Sequence, residues 1–581
     1  MQRFKMVTVL LTIALVCALP LVAQKPTATV APVTDAMLQN PPAADWLMWR
    51  RTLNSWGYSP LDQINRNNVG DLRMVWSRGL APGIQEGTPL VHDGVMFMPN
   101  PLDVVQAINA ATGDLIWEYK RKLPEDLNKF IPFPAINRNF AIYGNTIIDT
   151  SADDFVYALD TESGNLVWET QIADYHKLAA QQTSGPIIAS GKIISGRGCE
   201  PAAGPEACVI TAHDAKTGKE LWRTRTIPAA GEPGSETWGD VPMEKRRHVG
   251  TWMVPSYDPQ LNMIYIGTSV SSPAPKFLLG GNENKHLYHN STLALNADTG
   301  KITWYYQHIV DHWDLDHPFE RLLVDTAVTP SKADVTWINP RLKPGEKRRV
   351  ITGIPGKTGV VYTLDRATGE FLWATPTVRQ NVIGNIDGAT GQVAVNPESV
   401  FTAVGQQRFV CPSLQGGKNW QAGAYSPVTN TMYYPLQNTC SNVTAIEKPT
   451  LYQIDTKNQI TPGTDKVGTI HAISAETGKT AWKYEQRAGT TSLVATGGGL
   501  LFGGDAAGRF RAFDQTTGKV LWEVNLGSQV TGYPITYAVD GKQYVAVSTG
   551  SALATGGVLN FTPEYQPSTV NNLFVFALPG R

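Results

Sequence analysis

Apolar and polar residues alternate over short stretches along much of the chain, as in Tyr157-Ala158-Leu159-Asp160. A period of two reads as strand, and the polar clusters between stretches read as turns. One eleven-residue pattern makes this concrete. "AINAATGDLIW" ends at Trp117, "ALDTESGNLVW" at Trp168, "AHDAKTGKELW" at Trp222 and "ALNADTGKITW" at Trp304. "TLDRATGEFLW" ends at Trp373, "AISAETGKTAW" at Trp482 and "AFDQTTGKVLW" at Trp522. In each copy a strand ends, a polar turn follows, and a glycine such as Gly164 stands where the chain needs a positive φ. A second strand then runs out to the tryptophan. The unit is a β-hairpin, and its terminal indole offers a flat face to a neighbouring unit.

Repetition at this spacing predicts a solenoid or a propeller. Successive tryptophans lie 51, 54, 82, 69, 109 and 40 residues apart. A four-stranded blade takes about 40–50 residues, so the long gaps must carry insertions. An eighth unit is split between the ends of the chain. "NVGDLRMVW" (68–76) reads as the end of a hairpin and "LFVFALPG" (573–580) as the start of one. Joining them closes a ring and removes two open sheet edges. The prediction is an all-β fold: one eight-bladed β-propeller over residues 45–581, closed by its N- and C-terminal strands. A seven-bladed ring with a loose N-terminal strand is the alternative. Loops from all blades converge on one face, so a site is expected there, built in part from the insertions in the long gaps.

Only 17% of residues are charged and the net charge is −1, so no basic surface for nucleic acid or anionic lipid is implied. Residues 1–23 place Arg3 and Lys5 before an apolar run and small residues near Ala23. That is the pattern of a secretory signal peptide, with an uncleaved anchor as the alternative, and residues 24–44 read as an N-terminal extension. No later apolar run is long enough to span a bilayer. Beyond Cys17 the chain has Cys199, Cys208, Cys411 and Cys440. An even number in an oxidising compartment predicts disulfides. Three pairings are open; nearest neighbours, 199–208 and 411–440, are the expected ones, with buried free thiols as the alternative. The sequence has no CxxCH, so it carries no c-type haem of its own.

The densest chemistry is in "VDHWDLDHPF" (310–319), with Asp311, Asp314, Asp316, His312 and His317. A wet acidic loop, a metal site and a general base all fit these residue types. In extended backbone, residues two apart face one side, so Asp314 and Asp316 can reach one ion. Trp313 and Pro318 argue for irregular backbone, and His308, His312 and His317 read as structural.

The repeat with its terminal tryptophan resembles the docking motif of the PQQ-dependent alcohol and glucose dehydrogenases. Matches also run through "YSPLDQINRNNVGDL", "QEGTPLV", "INRNFAIYG", "WDLDHP", "GKTGVVYTLDRATG" and "GGKNWQAGAYSP". The resemblance implies pyrroloquinoline quinone (PQQ) on the propeller axis beside a Ca²⁺ or lanthanide ion. Asp314 matches the base that takes the proton of an alcohol or aldose substrate. Lys357 matches the cation at the quinone oxygens, and Trp252 the floor under the ring. Glu86, Arg138, Thr150, Thr251, Asn419 and Trp420 match further cofactor contacts. Asp314, Asp316 and Glu200 are the metal candidates, with Glu206 next after Glu200. Electrons would pass to an external acceptor, a c-type cytochrome, in the periplasm. Two departures stand out. The family's adjacent cysteine pair is missing from "PFPAINRN", and Val270 stands where the family places an asparagine ligand. A non-catalytic propeller that binds envelope partners is therefore the second reading. A hydrolytic or sugar-polymer-binding propeller is the third, but no separated carboxylate pair can be placed for it.

Overall fold

The computed structural model describes residues 29–580 apart from 135, 311–312, 449–451 and 554. The expected signal peptide, Asp311 and His312 lie outside the described residues. Among those described there are eight blades, six of four antiparallel strands and two, blades 5 and 7, with a short fifth strand added. Blade 1 begins with Leu90–His92 and ends with Leu115–Lys120. Blades 2 to 7 begin with Ala141–Tyr143, Ile187–Ala189, Ser256–Asp258, Leu322–Val328, Ala424–Ser426 and Thr490–Thr496. Blade 8 joins the ends: Ile535–Val539, Lys542–Thr549 and Asn572–Ala577 come from the C-terminal part. Its fourth strand, Arg73–Gly79, comes from the N-terminal part and pairs antiparallel with Asn572–Ala577. The split unit thus closes the ring as the sequence predicts.

Each eleven-residue repeat forms the outer hairpin of a blade. In blade 2, Asp160 Oδ1 accepts from the Ser163 N–H at 2.8 Å, and Gly164 donates to Asp160 O at 2.9 Å. Gly164 has φ +72°, and a Cβ there would lie 2.5 Å from the Trp117 ring of blade 1. The same stacking sets Trp76 on Gly113, Trp168 on Gly218, Trp222 on Gly300, Trp304 on Gly369, Trp373 on Gly478 and Trp482 on Gly518. Trp117 Nε1 donates to Thr161 O at 2.9 Å, and Trp222 Nε1 to Ala297 O at 3.0 Å. Trp522 meets Phe576 of blade 8 edge to face. Seven of the eight junctions are thus pinned by an indole on a turn, and the junction of blades 7 and 8 by an indole on a strand phenylalanine.

The radial layering follows the sequence pattern. A second strand such as Val95–Asn100 is buried on both faces, because neighbouring blades cover it. An outermost strand such as Leu166–Gln171 alternates between exposed and half-buried positions. Residues 33–57 line the inside of the ring. Trp46 bonds Val91 of blade 1, Val33 bonds Gly144 of blade 2, and Ala538 of blade 8 donates to Ala44. Tyr257, Leu323, Tyr425 and Ala495 of blades 4 to 7 donate to Leu53, Asn54, Trp56 and Gly57. The Asp35 carboxylate accepts from the Gly191 N–H of blade 3. This plug bonds the innermost strands of blades 1 and 4 to 8 and the first turns of blades 2 and 3, so backbone groups there find partners. The segment from Val33 onward is therefore continuous with the ring.

Candidate active site

The insertions in the long gaps, with the loops before the innermost strands of blades 2 to 6, line a cavity of about 280 Å³. Disulfides Cys199–Cys208 and Cys411–Cys440 tie two of these loops, in the nearest-neighbour pairing. On one side the extended run Asp314-Leu315-Asp316 presents both carboxylates to one amine. Lys357 Nζ lies 2.6 Å from Asp314 Oδ1 and 3.4 Å from Asp316 Oδ2. Lys357 is placed by its own N–H, which donates to Asp316 O at 2.9 Å. Burial works to lower the Lys357 pKa, but the charges of Asp314 and Asp316 outweigh it and the net shift is upward. Burial likewise opposes the charge of Asp316, yet Lys357 and the Val270 N–H, at 2.9 Å from Oδ1, bring its pKa below the usual value. His248 also lines the cavity and is held by Cys199 O at 2.8 Å; burial lowers its pKa, so it stands neutral near pH 7.

The other side is aromatic and cationic. Trp252 presents a half-buried face, and the Arg138 guanidinium sits 5.2 Å from its ring and 5.9 Å from that of Trp420. Arg138 pairs with Glu86 at 2.6 Å, and Glu86 Oε1 accepts from the Leu553 N–H. Arg138 Nε is buried without a hydrogen-bond partner. Asn419 lines the cavity while its amide bonds Gln415 O and the Trp420 N–H. A flat wall beside a cation, amides and a second cation suits a planar, polyanionic ring. The residues present fit the implied quinone cofactor.

Arg138, Trp252, Asp314, Asp316, Lys357, Asn419 and Trp420 thus meet at one cavity, and Glu86 stands behind Arg138. Three further expected residues do not line it. Thr150 is buried at the end of its strand, with Oγ1 unpartnered. Thr251 turns its hydroxyl to the Arg197 N–H at 3.1 Å. Glu200 accepts from Gln181 Nε2 at 2.6 Å, and burial raises its pKa. Among the described residues no three His, Cys, Asp or Glu side chains are grouped as cation ligands. Asp314 and Asp316 fit the anionic half of such a site; Glu200 is engaged elsewhere, and Val270 offers no side-chain oxygen. His308 and His317 stack on each other at 5.1 Å, and burial pushes His317 down to about 3.

Sequence reasoning missed Gln181, Thr183, His248 and Tyr452 in the lining. The long gaps pointed to His248 and Tyr452. Gln181 and Thr183 stand just before the innermost strand of blade 3, the place that Arg138 takes before blade 2.

Residues 46–385 and 450–545 match the family described as PQQ: Glucose/ethanol/alcohol dehydrogenase, beta-propeller domain. The chain is 31% identical over 582 residues to the alcohol dehydrogenase (quinone), dehydrogenase subunit, of Komagataeibacter europaeus, covering 92% of this chain and 76% of that one. It is 32% identical over 529 residues to the quinoprotein alcohol dehydrogenase PedH of Pseudomonas putida, covering 85% and 84%. Among solved structures it is similar to the quinohemoprotein alcohol dehydrogenase ADHIIG of Pseudomonas putida HK5, with TM-score 0.84, 29% identity and coverage of 95% and 83%. It is also similar to a europium-containing methanol dehydrogenase, with TM-score 0.83, 27% identity and coverage of 94% and 99%. These relatives are dehydrogenases, which sets the scaffold reading aside. The chain belongs to the PQQ-dependent quinoprotein alcohol dehydrogenase family.

Proposed function

We propose that this cavity oxidises a primary or secondary alcohol with an apolar tail, with Asp314 as the base. The observation that carries the reading is a buried Asp314–Lys357 pair in the same cavity as the Trp252–Arg138 wall. When bound, PQQ supplies the two-electron oxidant that accepts a hydride from the carbinol carbon. Asp314 takes the hydroxyl proton at a carboxylate oxygen, a role that needs hydrogen-bond reach to the substrate. Lys357 holds that carboxylate in place and offers a cation to oxygens that gain charge. Trp252 presents a stacking face, while Arg138 and Asn419 offer donors to carboxylates.

Asp314 and Asp316 would give carboxylate oxygens to Ca²⁺ or a lanthanide, with Glu200 as a third donor once freed from Gln181. Two adjacent carboxylates repel, and a trivalent ion offsets that better than a divalent one. The europium named for one similar structure supports the lanthanide reading. The outer wall comes from Pro132, Phe133, Ile136, Pro273, Leu414 and Leu553. It offers an aldose few polar partners, so it favours the alcohol over the sugar. We further place the protein in the periplasm, on the signal-peptide pattern and two disulfides, with an external c-type cytochrome as electron acceptor.

The test is reconstitution. Protein purified without cofactor is given PQQ with Ca²⁺ or La³⁺, and dye reduction is followed over alcohols of rising chain length and over aldoses. Longer alcohols should give the higher kcat/KM. Asp314→Asn should lower kcat by about 10²–10⁴-fold with an unchanged circular dichroism spectrum. Unchanged turnover would remove Asp314 from the role, and preference for glucose would remove the alcohol reading.

A further inference from the structure

Behind the Trp252 wall lies a group of ionisable side chains that the reaction above does not use. Arg50, Glu320, Arg321 and Lys418 are all buried, none more than 4% exposed. Lys418 Nζ donates to Glu320 Oε2 at 2.7 Å and to Asn419 O at 3.0 Å. Glu320 Oε1 accepts from the Gly423 N–H at 2.8 Å. The Gly423 carbonyl accepts from Arg50 Nη2 at 2.6 Å, and Arg50 also reaches the Leu493 carbonyl. Arg321 donates to Thr292 Oγ1 and to the carbonyls of Phe319 and His317. Three cations thus share one carboxylate. Arg50 Nε and Nη1 have no hydrogen-bond partner. Burial lowers Arg50 to about 10 and Arg321 to about 9, with Glu320 opposing in both cases.

This group is coupled to the cavity through aromatic rings. Lys418 Nζ sits 4.6 Å from the Phe319 ring, which meets Trp252 edge to face at 5.5 Å. Arg50 sits 5.9 Å from the Tyr533 ring, which meets Trp420 at 5.7 Å. Trp252 and Trp420 line the cavity. Buried charge without a counter-charge is costly, and here no solvent screens it. Arg138, at the cavity itself, is already matched by Glu86. The surplus of positive charge therefore lies in the layer behind, where an anion in the cavity would relieve it.

We propose that Arg50, Arg321 and Lys418 form a buried cationic base that draws the polycarboxylate cofactor into the cavity at the expense of apoprotein stability. This rests on the reading of the cavity as a PQQ site. The three are positioning residues: they act through the field and do not touch the ring.

The test is calorimetric titration of PQQ, at fixed Ca²⁺, into apoprotein of the wild type and of Arg50→Met, Lys418→Met and Glu320→Gln. At about 10 Å in protein surroundings, one charge corresponds to roughly a tenfold change in affinity. Each Met variant should bind PQQ about tenfold more weakly, and Glu320→Gln should bind it more tightly. The apoprotein melts should move the other way, equal or higher for the Met variants and lower for Glu320→Gln. Weaker binding in all three variants would mark a packing role and overturn the inference, as would affinities equal to wild type. Should one Met variant fail to fold, the other and Glu320→Gln still give the opposed signs. Failure of the wild type to bind PQQ would overturn the cavity reading and this inference together.

Discussion

Single residues in this chain were legible where the family resemblance named them, and the ring explains why they meet. Arg138, Trp252, Asp316 and Trp420 stand three to six residues before the innermost strand of their blades. A ring brings those positions to one end of the axis, so four residues far apart in sequence meet without further instruction. Residues fixed by local hydrogen bonds were not legible. Nothing in the order of residues says that Glu200 bonds Gln181, or that Thr251 turns to Arg197. Asp149 shows what such burial does. It accepts from Asn137 Nδ2 at 2.7 Å and from Tyr157, yet burial pushes it from 3.8 up to about 7. Its folded pKa lies above the unfolded one, so the unfolded state gives up the proton first as pH rises. The native state is then favoured most below pH 4 and loses stability between about pH 4 and 7, by up to ~4 kcal/mol. Asp149→Asn should flatten that slope and raise the melting temperature at pH 8. Denaturation curves at a series of pH values decide it, and an unchanged slope would refute the assignment.

At the scale of the element, the outer hairpin was readable to the residue. The aspartate that anchors the turn, the glycine at positive φ and the closing tryptophan each have a local physical reason. The partner of the tryptophan was expected only as "a neighbouring unit", because no local pattern names the residue across a blade interface. The structure supplies it: the indole lies where the Cβ of the next turn's glycine would be. Gly164→Ala should therefore cost more than backbone strain alone, about 3 kcal/mol, since the methyl meets the Trp117 ring. Gly541 also has positive φ, but nothing lies near its missing Cβ, so Gly541→Ala should cost only about 1–2 kcal/mol. Urea denaturation of the two variants measures the difference; equal costs would show that the indole yields.

The whole molecule was legible in its ring and its seam, because the two half-hairpins at the ends complete one another. The inner plug was not, since residues 33–57 show no alternation and their order is set by contacts with eight separate blades. Nor were the shapes of the insertions that wall the cavity, which belong to no repeat. Removing the seam should be costly. A chain stopped after Asn571 loses Leu573, Val575 and Phe576 from the core, about 6 kcal/mol of burial, and leaves Arg73–Gly79 unpaired. It should melt lower and be cut by trypsin near Arg73 or Arg78, whereas the intact ring resists. The seam also orders events in time. Ribosomes deliver Arg73–Gly79 among the earliest strands and its mate Asn572–Ala577 among the latest. For nearly all of synthesis Arg73–Gly79 waits as the one finished strand of its four-stranded sheet, its edge bare until Asn572–Ala577 arrives. That edge finds its mate, and the ring that shapes the cavity closes, only when the two strands clasp.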